Sequence, residues 1–156
     1  MNRIALAFVF ACAGLPAMAW QFTPDPICTL SHRGQDMTVT VTYDPMIEEY
    51  AIHLERDGGW PDAPVFSLRF EGPSGQVIST DRHVVGDVSP ETLTVRDRGF
   101  GNVLNGLEFN SRAVAVLDDL EVSVSLDGAA PAVAAFRACP ADQFVFVPMG
   151  TKINNS

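Results

Sequence analysis

Two cysteines, Cys28 and Cys139, lie near opposite ends of the chain and limit the folds that it can adopt. A bond between them would close most of the chain into one loop, and a cross-link over about 100 residues stabilises a fold by roughly 4–5 kcal/mol. The alternative is a metal or redox pair, which needs a closer spacing or nearby histidine ligands. The third cysteine, Cys12, lies in an N-terminal segment that is predicted to be cleaved on export. The two that remain allow one intramolecular pairing in an oxidising compartment, so the sequence predicts a disulfide that staples the fold.

Residues 1–19 have the pattern of a secretory signal peptide. Arg3 gives a positive start, an apolar run covers residues 4–14, and Ala17-Met18-Ala19 has the small-x-small form of a cleavage site. The apolar run is too short to cross a bilayer, which takes about 20 residues. The alternatives are a buried N-terminal helix and a lipoprotein acylated at Cys12. We predict cleavage after Ala19 and a periplasmic protein that keeps no transmembrane anchor.

The charge of the chain narrows the choice of partners. With 10 basic and 19 acidic residues, the formal net charge is −9. Nucleic acid and anionic lipid surfaces are therefore disfavoured, because their phosphates would be repelled. No G-x-x-x-x-G-K-[ST] loop is present to hold a nucleotide, and no cofactor is predicted. The expected partner is an envelope protein or a small ligand of unknown identity.

Alternation with a period of two dominates the middle of the chain and indicates antiparallel strands. Over residues 37–43, apolar side chains alternate with three threonines, and residues 66–70 alternate in the same way. Turn signals such as Asp57-Gly58-Gly59 separate these segments. The pattern predicts one disulfide-stapled domain over residues 20–147, a β-sandwich or curved sheet, followed by a frayed tail over residues 148–156. Within that domain, residues 144–147 are expected to add an edge strand.

Residues 111–119 are predicted to form a short helix. Ala113, Val116, Leu117 and Leu120 occur at the spacing of one helix face. A strand is the alternative, because the valines favour β structure and Asp118-Asp119 would lie at the negative end of the helix dipole.

A second short helix is predicted over residues 129–138. Ala129, Ala132, Val133 and Phe136 have helical spacing, and Pro131 falls in the first turn, where proline is tolerated. This helix would carry Cys139 back to the first strand. The Gly- and Asn-rich residues 99–110 are instead interpreted as an irregular loop with at most one helical turn.

Three stretches carry a resemblance to known proteins. GFGNVLNGLEF from Gly99, VSLDGAAPAVAAFRAC up to Cys139 and WPDAPVFSLRF from Trp60 resemble a group of small exported proteins of alphaproteobacteria. The closing pattern is also similar to periplasmic β-sandwich domains of the invasion-associated locus B type. The resemblance implies export and a β-sandwich, and it supplies no catalytic residues. Some members of the first group are described as DNA-repair excinucleases, a role that the acidic charge and the missing phosphate-binding loop oppose.

Few residues offer catalytic chemistry. The histidines His32, His53 and His83 are scattered, without the spacing of a metal site, so no metal is predicted. The densest polar cluster contains Asp81 and His83, where a histidine beside a carboxylate could act as a general base. No serine occurs in a G-x-S-x-G elbow. A small hydrolase that uses Asp81 and His83 is therefore kept as the alternative function.

Two loops are better candidates for a binding surface. Trp60 lies in a Pro-rich loop over residues 57–64, and Phe100, Asn102 and Asn105 lie in the Gly- and Asn-rich segment. Loops on a rigid sheet often carry recognition, and Trp commonly anchors interfaces. The alternative is that the aromatic side chains only complete the core. The predicted function is a non-catalytic binding or interaction module, and an inhibitor of an envelope enzyme that uses residues 57–64 is a further alternative.

Overall fold

The structure, a computed structural model, describes residues 19–142. Most of the predicted signal peptide, the strand predicted over residues 144–147 and the tail over residues 148–156 lie outside the described residues. Neither helix in residues 19–142 has the length and apolar composition that crossing a membrane would take. The elements are β1 (Gln21–Thr23), β2 (Cys28–Arg33), β3 (Thr38–Asp44), β4 (Glu49–Glu55), β5 (Phe66–Glu71), β6 (Gln76–Thr80), β7 (Val84–Val85), β8 (Thr92–Asp97), α1 (Gly101–Phe109), β9 (Arg112–Leu117), β10 (Leu120–Ser125) and α2 (Ala129–Asp142).

The strands form two antiparallel sheets. The larger has the order β1-β2-β3-β4-β8-β7, and the smaller has the order β10-β9-β5-β6. Neither sheet closes on itself, so each ends in edge strands, and β6 is one edge of the smaller sheet. The predicted fold class, an antiparallel β-sandwich or curved sheet with one or two short helices, is confirmed, although only one of the two helices lies at its predicted position.

Period-two alternation places the core between the sheets, as the sequence predicts. In β3, Val39 and Val41 are buried while the threonines point away. In β5, Phe66, Leu68 and Phe70 are buried. These residues belong to one continuous apolar cluster, to which both sheets and both helices contribute. One hydrophobic core therefore holds the described part of the chain together.

The C-terminal helix and the disulfide form the closed side of the sandwich. The helix predicted over residues 129–138 is present as α2, which packs on β1 and β2. Ala129, Val133 and Phe136 are fully buried on the face that the spacing predicts. The sulfurs of Cys28 and Cys139 are 2.06 Å apart, so the predicted disulfide is confirmed.

The helix predicted over residues 111–119 is wrong, and the alternative is correct. Arg112–Leu117 form β9, which pairs with β5 on one side and with β10 on the other. In this central strand, Ala113, Ala115 and Leu117 are buried on one face and Val114 is buried on the other, and pairing with two neighbouring strands outweighs the helical spacing. Asp118 has φ of 55° in the turn between Leu117 and Leu120, a backbone conformation that aspartate adopts more readily than most residues.

The segment interpreted as an irregular loop is instead the nine-residue helix α1. Its glycines and asparagines are poor helix formers, so tertiary packing must maintain it. Leu104 and Leu107 are buried, and Gly106 lies against the ring of Phe70. A Cβ atom at position 106 would meet that ring at 2.3 Å, so only glycine lets the helix approach β5 this closely.

Candidate functional site

A cleft of about 210 Å³ opens between the two sheets, beside the edge strand β6. One wall consists of Phe66, Leu68 and Ile78, on the inward face of β5 and β6. The opposite wall consists of Ile52 and Val95, on the inward face of β4 and β8. All five residues belong to the apolar core or pack against it. The cleft is therefore an opening into the core rather than a surface dimple.

The first turn of α1 closes one end of the cleft. Phe100 and Val103 add apolar surface to it, and Asn102 lies on its exposed rim. Phe100 is buried and stacks on Tyr50 with 5.5 Å between ring centroids and 17° between the planes. Two of the predicted binding residues, Phe100 and Asn102, thus contribute to one site.

The pattern of β6 explains why the cleft remains open. Gln76, Ile78 and Thr80 are its half-buried positions, and Ile78 is the only apolar residue among them. Val77, which points the other way, is 61% exposed. Because β6 is an edge strand with one apolar side chain facing inward, it cannot fill the space between the sheets.

An ion pair lies at the mouth of the cleft. Arg82 Nη2 donates to Asp97 Oδ2 at 2.5 Å, and the backbone N–H of Arg98 donates to Asp97 Oδ1 at 2.6 Å. The hydrogen bond from Arg82, followed by the one from Arg98, holds the pKa of Asp97 below its ordinary value. The Arg82 side chain is 66% exposed, so this pair contributes little to stability.

Asn105, another predicted binding residue, lies away from the cleft. Its Oδ1 accepts a hydrogen bond from Arg137 Nη2 at 2.6 Å, and Arg137 Nε donates to Glu108 Oε2 at 2.8 Å. These contacts join α1 to α2 across the end of the sandwich. In this structure Asn105 positions the helix that closes the cleft.

Trp60 lies in the core, with only 8% of its surface exposed. Its Nε1 donates to the carbonyl of Leu54 at 2.9 Å, and the guanidinium of Arg56 lies 5.8 Å from its ring centroid. Arg56 also donates to the carbonyl of Gly59, which ties the loop back to β4. The loop over residues 57–64 is well anchored, but its tryptophan points inward.

Asp81 and His83 line a second, more open depression. The His83 ring lies 6.1 Å from the ring of Phe66, and its Nδ1 is buried without a hydrogen-bond partner among residues 19–142. Asp81 therefore does not orient this imidazole. The depression offers no hydroxyl or thiol among its described lining residues, which are Trp60, Asp62, Ala63, Pro64, Asp81, His83, Val84 and Val85.

No three His, Cys, Asp or Glu side chains come together within residues 19–142, so this part of the chain contains no cluster that could hold a metal ion. Comparisons of the chain with protein-family models, with curated proteins and with solved structures find no match.

Sequence reasoning misses most of the residues that form the cleft. Ile78, Val95 and Asp97 come from two strands in different sheets, and no local pattern marks them as neighbours. Arg82 stands out in the sequence only as the residue between Asp81 and His83. Side chains of neighbouring residues in an extended segment point in opposite directions. The position of Arg82 between Asp81 and His83 could therefore have indicated that Arg82 faces away from those two residues and towards a different site.

Proposed function

We propose that the protein is an exported, periplasmic binding protein without catalytic activity, and that the cleft between the sheets is its ligand site. Protein interiors are close-packed, and voids larger than a water molecule are few. A cleft of about 210 Å³ that opens into the core departs from that rule. Ligand sites are typically concave and apolar with a few polar groups that fix orientation, which describes this cleft and its Arg82–Asp97 rim.

The volume limits what the cleft can hold. A cavity of about 150 Å³ accommodates benzene, whereas pockets for drug-sized ligands occupy roughly 300–1,000 Å³. The cleft, at about 210 Å³, fits a single aromatic ring or a short branched chain. The bound group is therefore a small molecule or one apolar moiety of a larger one.

Binding is tested with benzyl alcohol, a neutral probe of the right size, followed by NMR of the uniformly ¹⁵N-labelled protein. We expect saturable shifts that concentrate at the amides of Ile78, Val95 and Val103. Ile78→Trp, which fills the cleft, should abolish them. Val77→Trp is the matched control, because Val77 lies on the same strand but faces solvent. Equal binding by both variants would contradict the proposal.

Export is supported by the signal-like residues 1–19 and by the disulfide, since disulfides persist in oxidising compartments. The test is expression of the full chain in a Gram-negative host, cell fractionation and N-terminal sequencing. We expect a periplasmic product that begins at Trp20. A cytoplasmic product that retains Met1 would overturn this part of the proposal.

The absence of catalysis is proposed because Asp81 does not pair with His83 and no nucleophile lines their depression within the described residues. Hydrolysis of p-nitrophenyl acetate should not exceed the background of free imidazole. It should be unchanged in His83→Ala. A saturable activity that this substitution removes would instead support the hydrolase.

A further inference from the structure

Hydrogen-bond donors outnumber free acceptors at the rim of the cleft. A guanidinium carries five N–H donors, and within residues 19–142 the side chain of Arg82 donates only to Asp97. The backbone carbonyl of Asn102, also at this rim, accepts from Gln76 Nε2 at 2.7 Å, while its side-chain amide, with two N–H donors and one acceptor oxygen, has no partner among the same residues. A ligand that reaches this rim therefore meets unused N–H groups of Arg82 and of Asn102.

Apart from the amide oxygen of Asn102, the side-chain acceptors at the same rim already take part in hydrogen bonds. Both carboxylate oxygens of Asp97 accept hydrogen bonds, from Arg82 and from the backbone of Arg98. Thr80 Oγ1 accepts from the backbone N–H of Arg82 at 3.1 Å. Ser79 Oγ lies 2.7 Å from Ser67 Oγ on the outer face of the sheet. A ligand that brings its own acceptors therefore fits this rim better than one that brings donors.

The first turn of α1 adds to the same polarity. It has no acidic residue and no side-chain cap, so its N–H groups at the cleft are not neutralised by a side chain. This contribution is secondary. The apolar cleft and the guanidinium at its mouth are the two features that select the ligand.

From these contacts we infer that the cleft binds a small carboxylic acid, with an apolar tail of about one ring between the sheets and its carboxylate on Arg82. The inference rests on the proposed function and names the chemical class of its ligand. Arg82 suits this role because its planar fork can bind a carboxylate through two hydrogen bonds. Asp97 occupies one part of the guanidinium, holds it over the mouth and leaves its other donors to the ligand.

The acidity of the protein sharpens the test. The chain has a net charge of −9, so its long-range field repels an anion and attracts a cation. A preference for a carboxylate must therefore come from local contacts at the cleft. It cannot arise from non-specific attraction.

The experiment compares three ligands of equal shape on the purified, disulfide-bonded protein. Phenylacetate is negative, phenylacetamide is neutral and phenethylamine is positive. Titration calorimetry and NMR should show phenylacetate binding roughly tenfold or more tightly than phenylacetamide, a difference that one charge-assisted hydrogen bond supplies. Phenethylamine should be the weakest of the three.

Arg82→Gln should remove the preference for phenylacetate, so that phenylacetate and phenylacetamide bind this variant with affinities within about twofold of each other. Arg33→Gln is the matched control, because it removes the same charge from the exposed end of β2 and should keep the preference.

The outcomes separate the inference from the proposed function. If the three ligands bind equally, with shifts confined to the cleft, the carboxylate inference is overturned and the binding function stands. A preference for phenethylamine overturns the inference in the same way. If none of the three binds, and Ile78→Trp and Val77→Trp behave alike with benzyl alcohol, then both fail.

Discussion

The two sides of the sandwich differ in how completely the space between the sheets is filled. On the closed side, α2 packs Val133 and Phe136 against β1 and β2, and a disulfide locks it in place. On the open side, the edge strand β6 offers Ile78 alone to the space between the sheets, and the cleft remains. The same pair of sheets is thus sealed at one margin and left open at the other.

The contrast indicates that stability and binding are assigned to different margins. A fold that must expose apolar surface at one place needs compensation elsewhere, because natural proteins are only marginally stable. The helix α2 and the disulfide lie away from the cleft and can supply this compensating stability. The helix α1 contacts both margins, since its first turn lines the cleft and Glu108, near its end, pairs with Arg137 of α2.

The largest expected effect on the free energy of unfolding comes from removing the disulfide on the closed side. Replacing Cys28 and Cys139 together by serine should lower the free energy of unfolding by roughly 4–5 kcal/mol, because the disulfide spans most of the folded chain. Urea unfolding followed by circular dichroism measures the loss. Reduction of the unsubstituted protein with dithiothreitol serves as the control and should give a similar loss. Benzyl alcohol binding should survive wherever the variant remains folded, and loss of cleft binding in a folded variant would contradict the division between the two sides.

The next effect concerns the helix that joins the two sides. Gly106→Ala should cost about 1–3 kcal/mol, since the new methyl group would press into the Phe70 ring and force repacking. Gly101→Ala is the matched control on the same helix, because its Cβ would meet nothing within 4 Å. That variant should be neutral or slightly more stable, as alanine is the better helix former. Thermal unfolding of the two variants checks the difference, and equal melting temperatures would argue against the close packing at position 106.

The closed side can be predicted from the sequence because its signals are local. The alternation in β3, the spacing of Ala129, Val133 and Phe136, and the cysteine count each depend on nearby residues or on composition.

The open side can be predicted only in part. Loop composition identifies Phe100 and Asn102 as candidates but misses α1, because packing against Phe70 overrides the poor helix propensity of its glycines and asparagines. Ile78 and Val95 come together only when the two sheets pack on each other, and no spacing along the sequence indicates that they line the same cleft. Helical spacing misassigns strand β9 because its pairing with β5 is likewise non-local.

A smaller effect should appear when the cleft is narrowed. Val95→Ile adds one methylene group to its wall, keeps the branched side chain that strands favour, and should raise the free energy of unfolding by about 0.8 kcal/mol. The same group should weaken the binding of benzyl alcohol, because it occupies ligand space. Val77→Ile, on the exposed outer face, should change neither quantity. Greater stability without any loss of binding would mean that the ligand lies elsewhere.

The smallest effect concerns the ion pair at the mouth. Because its hydrogen bonds with Arg82 and Arg98 lower the pKa of Asp97 in the folded state, the carboxylate stabilises the fold above its unfolded pKa, near 4, and this stabilisation is lost as the pH falls through the lower folded value. Asp97→Asn should therefore be slightly less stable than the unsubstituted protein at pH 7, by up to about 1 kcal/mol for so exposed a pair. The difference should shrink below pH 4, as urea unfolding at several pH values would measure. Asp119→Asn removes an exposed turn carboxylate that has no salt bridge in the described residues, and it is the control for the loss of one surface charge. If the difference in the free energy of unfolding between Asp97→Asn and the unsubstituted protein stayed constant down to pH 2, the carboxylate would act by its shape and not by its charge. The rim would then lack the electrostatic character that distinguishes it from the closed side.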